Sequence, residues 1–342
     1  MVKIKCKNNK LNKSVKASTK PPFPIDIVYT WKGEDKSENV RLSNNNELQY
    51  SLRSVNMFAP WVNKIYILMN PPKKIPSWIK DTERNNEKIV ILDHFDTFPD
   101  KKYLPNINSN AIEITLPYIK ELSEHFIYLN DDMFLGKPCP YTKFFTPNGK
   151  AVLSFKTLIN KTKKHKGKPN KTVRNIKFPP NTGIMYNHIP IVRLKSVCLE
   201  FNKEYKSYIE WILENKKRRY QGWDKCIKFN LPSPCQQIHY PIAKYMFKKG
   251  KAVLEDDTSR YYYVQTSSIQ KSDSNIIKDI DNIKCLSNEK VFKEKLENLE
   301  KLRPYFFCIN DTEEIVKMRK IKRKIMLQFF KKYYSKKPSF EK

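Results

Sequence analysis

Asp131 and Asp132 stand side by side in "FIYLNDDMFLGKP", directly after an apolar run, in a chain whose formal net charge is +31. An Asn-Asp-Asp stretch is by default turn or capping chemistry, because these side chains bond their own backbone. Two adjacent carboxylates also suit a hard divalent cation, which takes oxygen ligands from one or two carboxylates plus the phosphates of a substrate. Acid/base work on a sugar would instead require one carboxyl to keep its proton near neutral pH. A dense basic field favours the ionised form and works against that. A metal–diphosphate site, with Mg²⁺ or Mn²⁺, fits the pair better.

Other groups able to do chemistry are few. Of the five histidines, His188 in "NTGIMYNHIP" stands among polar and turn residues and is the preferred general base; its plain alternative is a structural histidine. Arg218, Arg219 and Asp224 in "KKRRYQGWD" offer a phosphate clamp, or simply a charged helix end. Seven scattered cysteines without a C-x-x-C pair argue against zinc ribbons and disulfide frameworks. They point to reduced, buried thiols and a cytoplasmic setting. With seven glycines the chain has neither a P-loop nor a G-x-G-x-x-G fingerprint.

The elements that must position these groups are readable as apolar runs. "IDIVYTW", "KIYILMN", "KIVILDH" and "HFIYLNDD" are continuous runs of strand length, as expected for strands buried on both faces. Between them "NNNELQYSLRSVNMFAPW" has Leu48, Leu52, Val55 and Ala59 at helical spacing, with Pro60 as the stop. "NSNAIEITLPYIKEL" reads as a helix with Pro117 near an end or a kink. Alternating strand and helix predict an α/β domain with a largely parallel sheet. Such sheets bind ligands outside the carboxyl ends of their strands, where "TWKGED" and "NDD" fall. That placement raises the acidic pair above an ordinary turn.

At 342 residues the chain can form one large domain or two modest ones. Residues 1–20 read as a basic disordered arm, 21–150 as the metal half and 151–180 as a Lys-rich insertion, either solvated or clamping an anionic acceptor. Residues 181–314 read as a more helical half, with helices expected in "EYKSYIEWILENKKRRY" and "HYPIAKYMFKKGKAV". Residues 315–342 form a basic amphipathic tail that either packs on the domain or lies on an anionic membrane surface. No apolar run reaches membrane-spanning length. The excess of 66 Lys+Arg over 35 Asp+Glu suggests anionic partners. A nucleic-acid-binding protein is the remote alternative, without a recognised motif or aromatics interleaved with the basic runs.

Five stretches, in order, resemble the conserved blocks of the Stealth family: "IDIVYTWKGED", "RLSNNNELQYSLRSVNMFAPWVNKIYILMN", "NSNAIEITLPYIKELSEHFIYLNDDMFLGKP", "NTGIMYNHIPIVRL" and "RPYFFCINDTEE". That family includes bacterial capsular polysaccharide hexose-1-phosphate transferases and the catalytic subunit of the lysosomal-enzyme GlcNAc-1-phosphotransferase. The resemblance implies a glycosyltransferase-A-like (Rossmann-like) fold that binds a UDP-sugar with Mg²⁺ or Mn²⁺. It implies transfer of sugar-1-phosphate to a hydroxyl of an anionic glycan, with UMP leaving, in capsular or cell-surface polysaccharide synthesis. An ordinary glycosyltransferase releasing UDP is the alternative.

Carried over by position, the resemblance puts Asp26, Trp31, Gly33 and Asp35 at the nucleotide. It puts Arg41, Glu47, Arg53, Asn108 and Asn110 at the donor site, and Asn130, Asp131, Asp132, Asn310 and Asp311 at metal and phosphates. His188, Asp132 and Arg219 become the catalytic set. The chain departs from the family at Trp31–Asp35, one residue shorter than usual, and at Gln49, where Arg or Lys is usual. Tyr220 stands where the third block has Arg.

Overall fold

The computed structural model describes residues 20–34, 44–80, 88–157, 184–185, 189–217, 237–256, 261–265, 289–310 and 316–342. The four apolar runs form β1 (Ile25–Trp31), β2 (Ile65–Met69), β3 (Ile89–Asp93) and β4 (His125–Asn130). Strand β1 lies in the middle, with Ile27 paired to Ile65 of β2 on one side and to Ile127 of β4 on the other, all parallel. Strand β3 extends the sheet beyond β2 in the same direction.

Seven more strands are formed among the described residues: β5 (Met133–Leu135), β6 (Ala151–Thr157), β7 (Ile184–Met185), β8 (Ile191–Leu194), β9 (Ala252–Asp256), β10 (Tyr261–Gln265) and β11 (Phe306–Asn310). Strand β8 closes the main sheet antiparallel to β4, giving the order β3-β2-β1-β4-β8. Two three-stranded sheets stand apart, β10-β11-β5 and β7-β6-β9. Helices flank them: α1 (Glu47–Phe58), α2 (Ser109–Thr115), α3 (Lys195–Glu204), α4 (Lys206–Glu214), α5 (His239–Lys248), α6 (Glu289–Leu302) and α7 (Val316–Tyr333). This is the expected α/β class with a mostly parallel sheet, consistent with a glycosyltransferase-A-like fold.

The chain moves outward from β1 to β2 and β3, then crosses back to lay β4 on the other side of β1. The carboxyl ends of β1 and β4 therefore flank a topological switch point, the usual crevice for a ligand in such sheets. Helix α1 lies between two apolar cores. Leu48, Leu52 and Val55 pack with the main sheet. Tyr50 joins Phe134, Phe292, Phe307, Phe330 and Tyr334 in the second core.

Two departures from expectation have physical reasons. The segment expected as an insertion from 151 opens with β6, whose Ala151, Val152 and Leu153 are buried, so its first residues belong to the core. The rest of that insertion, 158–180, lies outside the described residues. Helix α6 is not among the expected elements, because its buried face is only Val291, Phe292, Leu296 and Leu299 among many charges. The segment at 315–342 forms α7 and a short extension. Its Met326, Phe329, Phe330, Tyr333 and Tyr334 are buried in the second core, so that apolar face meets protein. Pro117 sits in a single 3-10 turn, Leu116–Tyr118, that ends α2. Among the described residues no helix is long and apolar enough to cross a membrane.

Candidate active site

Asp131 and Asp132 follow β4 without a gap and precede β5, so the chain turns on them at the switch point. Strand β5 pairs antiparallel with β11, Cys308 opposite Met133, and Ile309 donates its N–H to the Asp132 carbonyl at 3.2 Å. One further step in that register brings Asn310 beside the acidic pair. Asp311 lies outside the described residues.

The pair does not stand alone. Glu47, buried in the first turn of α1, contributes its charge to the surroundings of Asp131. Burial, the Asp132 charge and then the Glu47 charge hold the Asp131 carboxyl well above the usual carboxylate range. Crowded, partly desolvated acids of this kind at the end of a strand make a functional-site candidate. Both aspartates remain partly exposed, so a ligand can reach them.

The surroundings are fixed by hydrogen bonds. Cys308 Sγ donates to Asp132 Oδ2 at 3.3 Å; burial, and then the charges of the acid pair, push that thiol well up. Tyr128 donates its hydroxyl to Asn130 Oδ1 at 2.6 Å and shares a 3.1 Å bond with Thr30 Oγ1, tying the ends of β1 and β4 together. Tyr29 is bonded to Ser51 Oγ at 2.7 Å, and Ser51 Oγ donates to the Met133 carbonyl at 2.5 Å. Glu47 accepts at 2.5 Å from both the N–H and the side-chain amide of Asn45. Asn46 between them takes a left-handed backbone (φ 65°), a conformation Asn tolerates better than most residues.

Among the described residues no three His, Cys, Asp or Glu side chains are gathered as a ready-made metal cage. The donor chemistry still fits a hard cation held by Asp131 and Asp132 and completed by substrate phosphates. It is oxygen-rich, and Asp131 lies in the field of the Asp132 and Glu47 charges.

Known proteins resemble most of the chain. A capsular polysaccharide phosphotransferase of Haemophilus influenzae is 32% identical over 327 residues, covering 85% of this chain and 79% of its own length. The chain belongs to the Stealth family. The conserved region described as "Stealth protein CR2, conserved region 2" matches residues 41–153, the stretch that contains α1 and the acidic pair. The capsular polysaccharide phosphotransferase LcbA of Neisseria meningitidis is 29% identical over 320 residues, 85% of this chain and 78% of that protein. The exopolysaccharide phosphotransferase CpsY of Mycobacterium leprae is 30% identical over 319 residues, 84% of this chain and 52% of that protein.

The positions implied by the Stealth resemblance separate into groups. Trp31, Gly33, Glu47, Asn130, Asp131, Asp132 and Asn310 lie at or beside the carboxyl ends of β1, β4 and β11 or at the start of α1. Gly33 adopts φ +111°, which favours glycine where the chain leaves β1, and the space around it is open. Asp26 is elsewhere. It lies at the amino end of β1, fully buried, and accepts from Asn63 Nδ2 at 2.8 Å, Lys64 N at 3.0 Å and Ser123 N at 2.7 Å. The structure gives it the work of joining the starts of β2 and β4.

Arg53 is engaged in a buried ion pair with Glu341. Asn108 bonds the Asn215 carbonyl at 2.9 Å, and Asn110 Oδ1 accepts from Ile238 N at 3.2 Å. These two asparagines thus anchor the chain after α4 and before α5. His188, Arg219, Asp35 and Arg41, like Asp224, lie outside the described residues.

Several groups of the site carry no signal of their own in the sequence. Tyr29, Ser51 and Cys308 read as ordinary strand or helix residues, and only their three-dimensional neighbours reveal them. Cys308 stands two positions before Asn310 in the last resembling block, which is the one hint available.

Proposed function

We propose that this protein transfers sugar-1-phosphate from a UDP-sugar to a hydroxyl of a glycan acceptor, in the synthesis of a capsular or cell-surface polysaccharide. The observation that carries this reading is the crowded acidic group, Glu47, Asp131 and Asp132, at the switch point of a chain otherwise strongly basic. Membership in a family whose named relatives are polysaccharide phosphotransferases supports the phosphate-transfer step.

The acceptor oxygen attacks the β-phosphorus, forming a new P–O bond. The bond between that phosphorus and the oxygen bridging to the α-phosphate breaks, and UMP departs with that oxygen. The acceptor hydroxyl proton must leave to a base, the role the resemblance gives to His188. Bound Mg²⁺ or Mn²⁺ would neutralise charge on the diphosphate. Asp131 and Asp132 would hold it. Asn130, oriented by Tyr128, lines the same edge. Such chemistry is dominated by positioning and charge neutralisation, and the protein forms no covalent bond to the phosphoryl group.

The test is incubation with a panel of UDP-sugars, Mg²⁺ and candidate glycans, with mass spectrometry of both products. UMP and a phosphodiester are expected. UDP and a glycosidic bond would replace this reading by that of an ordinary glycosyltransferase.

A further inference from the structure

Helix α1 begins at the acidic group, with Glu47, and six residues later is fastened to a distant part of the chain. Arg53 Nε donates to Glu341 Oε2 at 2.7 Å and Nη2 to Oε1 at 2.5 Å, a bidentate pair between residues 288 positions apart. Arg53 Nη1 donates to the Tyr334 carbonyl at 2.9 Å, and the guanidinium lies 4.7 Å from the Tyr50 ring centroid. Gln49 Nε2 donates to Glu341 Oε1 at 2.6 Å. The side chains of Arg53 and Glu341 are only 7% and 1% exposed.

The same distant segment grips the strand that follows the acidic pair. Tyr334 donates its hydroxyl to the Leu135 carbonyl and Tyr333 to the Gly136 carbonyl, both at 2.7 Å. From the other side α1 holds β5 through Ser51 on the Met133 carbonyl and through Ser54 Oγ, which accepts from Leu135 N at 3.1 Å. Glu47 on α1 and Asp131–Asp132 before β5 are thus two parts of one site, and the residues at 333–341 tie both carriers.

A buried ion pair is a weak source of net stability, since apolar side chains of similar volume often do as well or better. Its geometric content is what distinguishes it, because a bidentate fork fixes direction as well as distance. We propose that the 333–341 segment is a positioning strap. Through Arg53–Glu341 and the two tyrosine hydroxyls it sets the spacing between Glu47 and the Asp131–Asp132 pair. Arg53 is then a positioning residue rather than a contact for the donor. This inference rests on the reading of the acidic group as the reaction site.

The experiment uses the full chain and three substitutions: Glu341→Gln, the double variant Arg53→Gln with Glu341→Gln, and Tyr334→Phe. Each is measured for unfolding midpoint, for hydrogen exchange of the amides at 133–136, for Mn²⁺ binding with UDP, and for kcat and KM. The strap predicts faster exchange at 133–136 and a fall in kcat of about tenfold to a hundredfold in Glu341→Gln, the scale of a 1 Å misplacement. The neutral double variant regains the unfolding midpoint but not kcat, a split that a purely structural role would not produce.

Wild-type kcat and wild-type Mn²⁺–UDP binding in folded Glu341→Gln or in the double variant would overturn the strap. If neither folds, Tyr334→Phe decides: a severalfold drop in kcat is expected, and unchanged kcat overturns the proposal. Wild-type chain and Asp132→Asn, run alongside, separate the two levels. Absence of UMP from wild type with every UDP-sugar sinks the functional reading, whereas wild-type turnover that survives in the strap variants sinks the strap alone.

Discussion

Asp26, in β1, and Asp131, just past the end of the adjacent β4, lie at opposite ends of one sheet, about 17 Å apart along the strand direction. At the amino end, Asp26 is surrounded by donors: the Asn63 amide and the N–H groups of Lys64 and Ser123, all within 3.0 Å. Each of those donors lies just before β2 or β4, so one carboxylate sets the start of three neighbouring strands. At the carboxyl end, Asp131 meets the charges of Asp132 and Glu47 instead, and its carboxyl is pushed upward. The same side chain is a structural tie where donors converge on it and a candidate reaction group where acids crowd it.

The largest contrast is between substitutions at the two ends. Asp132→Asn is expected to reduce turnover by about 10²–10³-fold, or ~3–4 kcal/mol of transition-state stabilisation, with the unfolding midpoint unchanged or raised. Initial rates of UMP release and a thermal scan measure both; near-normal turnover would remove the acidic pair from the chemistry. Asp26→Ala is expected to do the reverse. Leaving buried N–H donors without an acceptor costs about 2–3 kcal/mol of stability, while kcat per folded molecule stays at the wild-type value. Denaturant titration reads the first quantity and active-fraction kinetics the second. A turnover defect without lost stability would return Asp26 to the nucleotide.

The pH dependence of stability sharpens the carboxyl end. Because the Asp131 carboxyl is raised in the folded state, the protonated form is favoured by folding. That contribution is fully present below the unfolded value, near pH 4, and is lost as pH rises through the folded one. Metal-free wild type should therefore lose stability over that rise. Asp131→Asn should flatten the slope. Its unfolding midpoint should exceed that of wild type at neutral pH in EDTA, and the gap should close as pH falls towards about 4. Adding Mg²⁺ with UDP should narrow the gap at neutral pH by binding the native wild type. Parallel curves for the two chains would show that Asp131 carries no such burden.

How much of this was legible depends on range. Strands β1, β2 and β4 are apolar runs whose burial on both faces is written into Ile, Val, Leu and Tyr, whereas β3, at the sheet edge, keeps Val90, Ile91 and Leu92 only half-buried. The acidic pair announces itself by contrast with these runs. Strand β5 is three residues, Met133–Leu135, and owes its existence to β11, Ser51 and Ser54, none of which is near it in sequence. Arg53 reads as a donor-site cation until its partner 288 positions away is known. Asp26 is instructive in the other direction. It is the second residue of a strand in a parallel sheet, and such sheets take ligands outside the carboxyl ends of their strands, so its place at the structural end was available from strand direction alone.

The smallest effect is the most searching for the comparison. Asn63 is exposed, and its amide shares Asp26 Oδ1 with the Lys64 N–H, so Asn63→Ala leaves that oxygen one donor and the other oxygen still bonded to Ser123 N. The expected loss is about 0.5–1 kcal/mol of stability, the scale of one hydrogen bond whose partner remains satisfied, with kcat unchanged. Combined with Asp132→Asn, the stability change should equal the sum of the two single changes and the turnover should equal that of Asp132→Asn alone, because sites this far apart without shared partners do not couple. A stability loss as large as that of Asp26→Ala would mean the three bonds act as one network. A change in kcat from Asn63→Ala would mean that the amino end of β1 transmits to the acidic pair, and the division of the sheet into a structural end and a chemical end would fail.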